Sequence, residues 1–411
     1  MAVVIIGTLD TKGEEIGFAR DVIEAQGVDV HLVDTGVMDD PEIDPDTPAS
    51  DVAEAGGGTT LEALREAGDR GEAIGAMGQG AADIAVDLHE DGVLDGILGL
   101  GGSGNTSIAT EAMRALPVGV PKLMVSTVAS GDTEPYVGTR DIAMMYSVAD
   151  IEGLNQLSRQ VIANGALAMV GMVANDPGVE IEDRPTIAIT MFGVTTPCVQ
   201  TAREYLQERG YETIVFHATG TGGRAMESLI AEGVVDGVLD VTTTEWADEL
   251  VGGVLSAGPD RLDAAAEAGI PQVVSTGALD MVNFGPRDTV PEEFEGRQFH
   301  VHNPQVTLMR TTPEENAELG EIIAGKLNAA TGPTALFLPL GGVSMIDVEG
   351  EDFYDPEADD ALFDALRAHV DRGTVELIEL DHPINDDAFA EAMAEKLDAY
   401  MRESGCGPDQ E

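Results

Sequence analysis

The sequence predicts an α/β protein made of two similar doubly wound, mostly parallel Rossmann-like domains that arose by internal duplication. The first observation is a long repeat, in which residues 3–36 return in outline as residues 186–220 and Gly27 matches Gly210. The second is that DGVLDGILGLGGSGNT from Asp91 returns as EGVVDGVLDVTTTE from Glu232, and GVPKLMVST as GIPQVVSTG. The third is that apolar runs alternate with segments of helical spacing. A repeat this long predicts duplicated domains rather than a solenoid.

Apolar runs without polar alternation are typical of strands buried on both faces of a parallel sheet. The first predicted strand is 3–6, and the helix after it covers 14–25, where Ile16, Ala19 and Ile23 share one face and Gly27 follows. The same pattern predicts strands at 30–33, 96–100, 123–126, 187–190, 213–216, 237–241 and 273–275. In the tail from Pro333, we predict strands 335–338 and 375–380 and helix 386–401, which would extend the second sheet.

Three segments interrupt the repeat. Residues 39–58 contain three prolines and GGG, which predicts a long surface loop found only in the first half. Residues 142–173 read as a mostly helical segment without a counterpart at the same place in the second half, and their small, Met-rich composition suits packing against a partner. Residues 175–185, NDPGVEIEDRP, have the composition of a linker. We therefore predict domains at 1–178 and 179–411.

The charge balance excludes some classes of partner. The chain has 76 acidic and 21 basic residues among 411, giving a net charge of −55. Such a field repels nucleic acid and anionic membranes, and is typical of halophilic proteins. The two cysteines predict no disulfide framework, which fits a reducing compartment. The N-terminal apolar run, Ala2 to Ile6, is too short for a signal peptide, and we predict no apolar stretch near 18 residues, so we expect a cytoplasmic protein.

The turn after the first strand contains an unusual set of polar residues. Ligands of open α/β sheets bind outside the carboxyl ends of the strands. GTLDTKGEE places Thr8, Asp10, Thr11 and Lys12 there, and it is neither a Walker A loop nor a dinucleotide-binding GxGxxG motif. Lys12 is one of only four lysines in the chain. We therefore predict that Lys12 meets an anion; the alternative is a capped turn with a solvated lysine.

A glycine-rich turn follows the predicted strand 96–100. Its glycines allow backbone amides to converge, and a helix N-terminus adds partial positive charge, which favours phosphate or carboxylate. The candidate residues are Gly101, Gly102, Ser103, Gly104, Asn105 and Thr106. The alternative is a tight turn at a crowded junction between helix and sheet. GAMGQGA, with Gly78, Gln79 and Gly80, is a weaker third loop on the same reasoning.

The second half has parallel turns with changed chemistry. MFGVTTP contains Thr195, and TGTGGRAME supplies a glycine turn beside Arg224. VTTTE has the position in the second half that GLGGSGNT has in the first. We predict a second anion pocket here, with Arg224 as a guanidinium clamp. Its candidate residues are Thr195, Thr221, Gly222, Gly223, Arg224, Thr243 and Glu245.

Other candidates are weaker. His300 and His302 share a strand face, but no third ligand is evident and we predict no metal site. Cys198 lies at a predicted helix start, where a thiol pKa can fall, although a small buried residue is the favoured interpretation. Asp280, Asn283, Arg287 and the glycine turn from Pro339 could line an interdomain cleft.

Five motifs in order, GTLDTKGEE, GLGGSGNTS, HATGTGGRAME, DVTTTEWADEL and HNPQVTLMRTTPEEN, resemble the UPF0261 family, also called Tm-1-like ATP-binding proteins. The resemblance covers essentially the whole chain. It implies two α/β halves, a homodimer, and binding of ATP with Mg²⁺. By resemblance the nucleotide uses Thr11, Lys12, Gly78 to Gly80 and Gly102 to Thr106, with Arg224 or its neighbours completing the pocket.

The function predicted from the sequence is therefore Mg-ATP binding in the first half. Asp10 would hold Mg²⁺ through water, and the second half would bind a small anionic metabolite or couple to the first. One alternative is an ATP-dependent kinase or ligase that acts on a small carboxylate. Another is an ATP-regulated interaction protein without catalysis.

Overall fold

The chain forms two compact units, Met1–Glu180 and Ile181–Glu411, in a computed structural model that describes residues 1–175 and 184–408. The two units match the two halves of the sequence repeat. The predicted linker, residues 175–185, lies mostly outside the described residues, and so does the predicted boundary between residues 178 and 179.

The first unit has a five-stranded, wholly parallel sheet in the order β2-β1-β3-β4-β5. Its strands are β1 (Ala2–Gly7), β2 (Asp29–Asp34), β3 (Gly96–Gly101), β4 (Lys122–Ser126) and β5 (Ala143–Tyr146). Its helices are α1 (Leu9–Glu24), α2 (Ala49–Ala55), α3 (Leu61–Ala67), α4 (Arg70–Glu90), α5 (Ser103–Ala115), α6 (Glu134–Val137) and α7 (Gln156–Ala174).

The central strand β1 shows why both faces of this sheet are covered. Val3 and Ile5 pack in the layer formed with α1 and α7, whereas Val4 and Ile6 pack in the layer formed with α4 and α5. All four side chains are fully buried. Side chains of a strand point alternately to opposite faces, so an unbroken apolar run requires helices on both sides.

The second unit has a six-stranded parallel sheet in the order β14-β13-β9-β8-β6-β7 and a small antiparallel sheet in the order β10-β12-β11. Its strands are β6 (Thr186–Met191), β7 (Glu212–His217), β8 (Gly237–Thr242), β9 (Gln272–Gly277), β10 (Met281–Phe284), β11 (Phe299–Asn303), β12 (Val306–Arg310), β13 (Thr334–Pro339) and β14 (Val375–Leu380). Its helices are α8 (Thr196–Gln207), α9 (Thr221–Ala231), α10 (Glu245–Val251), α11 (Ala264–Ala268), α12 (Pro313–Asn328), α13 (Pro356–His369) and α14 (Asp387–Glu403).

The strand orders confirm two related α/β sheets. Strands β7-β6-β8-β9-β13 repeat the order β2-β1-β3-β4-β5, and β14 is added at the edge, as predicted for the tail. Residues 142–173 do have a counterpart, but not at the same place in the second half. The segment opens with β5, which matches β13, and α7 packs on α1, β3 and β4 much as α14 packs on α8, β8 and β9. The equivalent elements lie later in the second half of the chain, which hides them from a simple comparison.

Three predicted loops contain helix instead. Helix α1 begins at Leu9, not at residue 14, because Leu9 lies on the buried face of the helix together with Ile16. Residues 39–58 include α2, which buries Val52 and Ala53. The predicted third glycine loop lies inside α4, which Asp69 caps by accepting hydrogen bonds from the amides of Gly71 and Glu72.

The glycines of α4 serve close packing between helices. A Cβ on Gly80 would lie 1.8 Å from the carbonyl oxygen of Val52 in α2, and a Cβ on Gly78 would meet the carboxylate of Glu111 in α5. Gly78, Gln79 and Gly80 therefore do not form the predicted anion-binding loop.

By its length and composition alone, helix α7 could cross a membrane, contrary to the sequence expectation. Ile162, Ala166 and Met169 of this helix are buried in the core of the first unit. A buried core helix can have the same length and composition, so this is weak evidence for a membrane segment.

Candidate functional site

The carboxyl ends of β1 and β3 meet at one edge of the first sheet, and Asn105 ties them together. Its Nδ2 donates to the carbonyl oxygen of Leu100 at 2.5 Å and to that of Ile6 at 3.4 Å, and its Oδ1 accepts from Thr35 Oγ1 at 3.4 Å. Asn105 is buried. Its side chain therefore positions the glycine turn and is already occupied by protein contacts.

Thr106 has a similar structural role. Its Oγ1 lies 2.8 Å from the carbonyl oxygen of Gly102 and 2.7 Å from Ser126 Oγ, and the residue is fully buried. Thus the side chains of Asn105 and Thr106, both predicted to contact a ligand, hold the end of β3 and the start of α5 against β4.

The backbone of the same turn remains near the surface. Gly102 and Gly104 are half-buried and Ser103 is exposed. Gly102 precedes α5 and has no side chain with which to cap it. A 13-residue helix concentrates partial positive charge on the amides of its first turn. The start of α5 can therefore accept an anion.

Arg70 adds a cation to this turn, which the sequence reasoning missed. It is the first residue of α4 and is exposed, and a Cβ on Gly104 would lie 3.4 Å from its Nη2. Only the packing of α4 on α5 brings the two together. The available signal was weak: an arginine at a helix start in a chain with few basic residues.

The turn after β1 lies at the adjacent strand end. Thr11 Oγ1 donates to Thr8 Oγ1 at 2.9 Å, and Thr11 is exposed. The side chain of Lys12 is only 20% exposed, and its Nζ lies 4.0 Å from Glu152 Oε2, whose carboxylate is 82% exposed. Lys12 also leaves helical geometry, with φ −131° and ψ 19°. A loose ion pair of this kind is readily exchanged for another anion.

Asp10 does not occupy the predicted position of a Mg²⁺ ligand. Its Oδ2 accepts from the amides of Met38 at 2.8 Å and Asp39 at 3.2 Å. Its Oδ1 is buried without a hydrogen-bond partner among the described residues, and a Cβ on Gly36 would lie 2.5 Å from it. Both oxygens therefore face the loop after β2.

Asp34 fixes the same turn from β2 and was not predicted. Its Oδ1 accepts from the amides of Leu9 at 3.0 Å and Gly36 at 2.8 Å. Burial raises the pKa of this carboxyl above its ordinary value. Asp34 therefore orders the segment that presents Thr8 and Lys12.

In the second unit, Glu245 fills the predicted anion pocket. Its Oε1 accepts from the amides of Gly220 at 2.7 Å and Gly223 at 3.0 Å, at the start of α9. A Cβ on Gly222 would lie 1.8 Å from the carbonyl oxygen of His217, so this turn needs glycine. The turn does bind a carboxylate, but the carboxylate belongs to the same chain. The predicted open pocket is therefore wrong.

Arg261, rather than Arg224, is the guanidinium of this site. It is fully buried, with Nε 2.8 Å from Glu245 Oε2, Nη1 3.0 Å from Glu227 Oε1, and a bidentate pair with Asp240 at 2.6 and 2.8 Å. The neighbouring carboxylates raise the pKa of Arg261 despite its burial. Arg224 is exposed and donates to the carbonyl oxygen of Ser256 at 3.0 Å.

The remaining second-half candidates are used inside the fold. Thr195 Oγ1 lies 2.7 Å from Thr242 Oγ1, and Thr243 Oγ1 donates to the carbonyl oxygen of Ser275 at 3.1 Å. Both Thr195 and Thr243 are fully buried, whereas Thr221 at the start of α9 is exposed. Thr195 and Thr243 therefore join neighbouring strand ends and do not present their hydroxyls to solvent.

The weaker candidates divide between buried contacts and surface contacts. Asn283 donates through Nδ2 to Asp248 at 2.6 Å, and Asp280 accepts from Ser344 Oγ at 2.8 Å, both in buried positions. The guanidinium of Arg287 lies 3.9 Å above the ring of Phe299. His300 Nδ1 lies 2.7 Å from Asp352 Oδ2. Among residues 1–175 and 184–408, no three His, Cys, Asp or Glu side chains are grouped to hold a metal.

Cys198 should be unreactive in the native protein. It is fully buried at the start of α8, and burial raises its pKa to about 12. Because the thiolate is the nucleophile, we expect only half-buried Cys406 to react with Ellman's reagent until the chain unfolds. Cys406→Ser is the control and should show no fast reaction. A fast reaction in that variant would contradict the burial of Cys198.

Comparisons with known proteins cover nearly all of the chain. Residues 1–177 match the model for the N-terminal domain of the Uncharacterised protein family (UPF0261), and residues 184–401 match the model for its C-terminal domain. A UPF0261 protein of Clostridium tetani is 55% identical over 395 residues, covering 96% of this chain and 98% of the relative. The ToMV resistance protein Tm-1(GCR237) of Solanum lycopersicum is 43% identical over 414 residues, covering 95% of this chain and 55% of the relative.

The similarity to solved structures is much weaker. A putative UDP-N-acetylglucosamine 2-epimerase from Listeria monocytogenes aligns over 100% of this chain and 98% of its own, with 12% identity and a TM-score of 0.23. The glycosyltransferase VinC, solved with dTDP, aligns over 98% of both chains with 10% identity and a TM-score of 0.22. These scores carry no functional argument.

Proposed function

This chain belongs to the UPF0261 family, and on that premise we propose that its first unit binds ATP through the phosphates, at the carboxyl edge of the first sheet. The phosphates would lie on the amides of Gly102, Ser103 and Gly104, beside Arg70. The hydroxyls of Thr8 and Thr11 and the amine of Lys12 would contact the nucleotide from the adjacent strand end. Backbone amides suit this task because they attract phosphate without basic side chains, which are few in this acidic chain.

The observation that carries the proposal is a difference between the two halves. Gly92 matches Gly233 at an offset of 141 positions, and the same offset pairs Gly104 with Glu245. In the second unit the carboxylate of Glu245 occupies a glycine turn. In the first unit the corresponding residue contributes no side chain, and Arg70 lies next to it. At this position the first unit therefore lacks the carboxylate of the second unit and has a cation nearby. This combination favours an external anion.

The proposal assigns no protein ligand to Mg²⁺. The resemblance implies this ion, but both oxygens of Asp10 point into the fold, and the described residues contain no cluster of three ligands. The chain's own residues would therefore act on the phosphates.

The proposal also includes a cytoplasmic homodimer adapted to high salt. A net charge of −55 would make two copies repel each other across most of their surfaces. Helix α7 contains no acidic residue, and Leu157, Leu167 and Met172 on it are 40–46% exposed. A partly apolar surface without carboxylates is the kind of surface on which two such copies could meet.

Calorimetric titration with MgATP in molar KCl tests the binding site. We expect Arg70→Ala to weaken binding roughly ten-fold or more, because a charge-assisted hydrogen bond is lost. Lys12→Ala should weaken it less, since Lys12 already has Glu152 beside it. Arg20→Ala is the matched control, because Arg20 is bonded to Asp21 on α1. Absence of binding by the wild type, or equal affinity in all four proteins, would overturn the proposal.

A further inference from the structure

We propose that the second unit has a ligand site of its own, between the turns that follow β13 and β14, and that this site takes a small amine with an apolar body. The inference does not depend on nucleotide binding by the first unit. It also differs from the sequence expectation, in which the second half binds an anion.

The site is a cavity of about 330 Å³ at the carboxyl edge of the second sheet. This is the edge where open α/β sheets bind ligands, and the volume lies at the lower end of the range for small-molecule sites. The lining residues are Ser344, Met345, Val348, Pro383, Asn385 and Asp386.

The walls are fixed before any ligand arrives. Asn385 accepts from the amide of Cys198 at 3.3 Å and donates to the carbonyl oxygen of Val194 at 2.9 Å. The amide of Met345 donates to that same oxygen at 3.0 Å. The amide of Gly341 donates to the carbonyl oxygen of His382 at 3.1 Å. The turns after β6, β13 and β14 are therefore joined, so binding would require little ordering.

A buried carboxylate lies behind the wall. Ser344 is fully buried and donates through Oγ to Asp280 Oδ2 at 2.8 Å. Asp280 is also fully buried, and its Oδ1 has no hydrogen-bond partner among the described residues. Burial raises the pKa of Asp280, and the nearby guanidinium of Arg310 favours its charged form. Ser344 therefore links this wall to a buried acidic side chain.

The lining residues combine apolar contact with acidity. Met345, Val348 and Pro383 supply apolar surface, and the side chain of Met345 is 47% exposed. Asp386 supplies a carboxylate on the same wall, and His382 Nδ1 lies 3.3 Å from its Oδ2. A carboxylate or phosphate ligand would be repelled by Asp386, whereas an ammonium group would pair with it. The acidic surface of the chain would also concentrate cations near the opening.

The test compares two probes that share a body and differ in charge, phenethylamine and phenylacetate. The full chain is labelled with ¹³C at the methionine methyl groups, and Met345→Leu identifies the Met345 signal. At pH 8, phenethylamine should shift this signal saturably, and phenylacetate should not. Asp386→Asn keeps a residue that can cap α14, and we expect it to weaken phenethylamine binding about ten-fold.

Asp387→Asn is the matched control, because Asp387 is the next acidic residue along the chain and accepts instead from Thr201 Oγ1. It should bind phenethylamine like the wild type. Equal binding of phenylacetate would overturn the charge preference. An unchanged Met345 signal with millimolar phenethylamine and with n-butylamine would overturn the site itself. Calorimetry with MgATP is a separate measurement, so failure here would not count against the nucleotide site.

Discussion

Replacing Arg261 with methionine should lower the free energy of unfolding of the second unit by about 3–5 kcal/mol, the range for removing one partner of a buried ion pair. The variant would leave the carboxylates of Asp240, Glu227 and Glu245 near one another without their shared guanidinium. The repulsion among these carboxylates and the cost of burying them without a cation would then destabilise the folded state. Methionine keeps much of the apolar volume, so the loss would reflect charge more than a cavity.

Urea unfolding followed by the fluorescence of Trp246 measures this effect. Trp246 is the only tryptophan of the chain and is buried in the core of the second unit, so its signal reports that unit. Arg224→Met is the matched control, because Arg224 is exposed, and we expect little change in its unfolding midpoint. If Arg261→Met unfolds at the same urea concentration as Arg224→Met, the buried network does not stabilise the unit as described.

Gly104→Glu should reduce the affinity of the first unit for MgATP by at least about 100-fold, that is, by roughly 3 kcal/mol. The substitution copies the second unit, where the matching residue is Glu245. A carboxylate at this position would repel phosphate and could pair with Arg70, whose Nη2 lies beside Gly104. The helix start would then have an anion of its own.

Gly104→Ala distinguishes charge from bulk. A Cβ at this position would lie 3.4 Å from Arg70 Nη2, the end of a flexible side chain that can move slightly. We therefore expect Gly104→Ala to bind MgATP within a few-fold of the wild type. Circular dichroism of all three proteins checks that the fold is intact. Wild-type affinity in Gly104→Glu would place the nucleotide elsewhere.

Except for β5, which lies in the segment predicted to be mostly helical, the strands of both parallel sheets could be predicted because their cause is local. A run such as Val3 to Ile6 is apolar at every position, and only a strand buried on both faces requires that. Strands β10 and β12 were not predicted, because polar residues such as Asn283 and Thr307 interrupt their apolar positions. Strand β11, Phe299–Asn303, has the sequence FHVHN and is mostly exposed, so only the spacing of its two histidines indicates a strand.

The candidate site was harder to predict because glycine has several uses. Gly104 lies at a helix start, whereas Gly80 lies within a helix and allows α2 to approach α4. Both occur in similar glycine-rich strings, and only the packing separates them. The partners of Glu245 are also distant in sequence, with Arg261 16 positions later and Gly220 25 positions earlier. No local pattern indicates that a carboxylate will fill a turn of its own chain.

Glu245 makes the two halves of the chain respond differently to the solution around them. Its carboxylate is tethered beside the amides of Gly220 and Gly223, so it acts as a ligand at high effective concentration that cannot diffuse away. Chloride at molar concentration has little chance to compete there. Gly104, which matches Glu245 in sequence, carries no such group, so an anion proposed to bind at the start of α5 would have to come from solvent. The carboxylate at the start of α9 is therefore insulated from salt, whereas the site proposed at the start of α5 would be open to competition between chloride and phosphate.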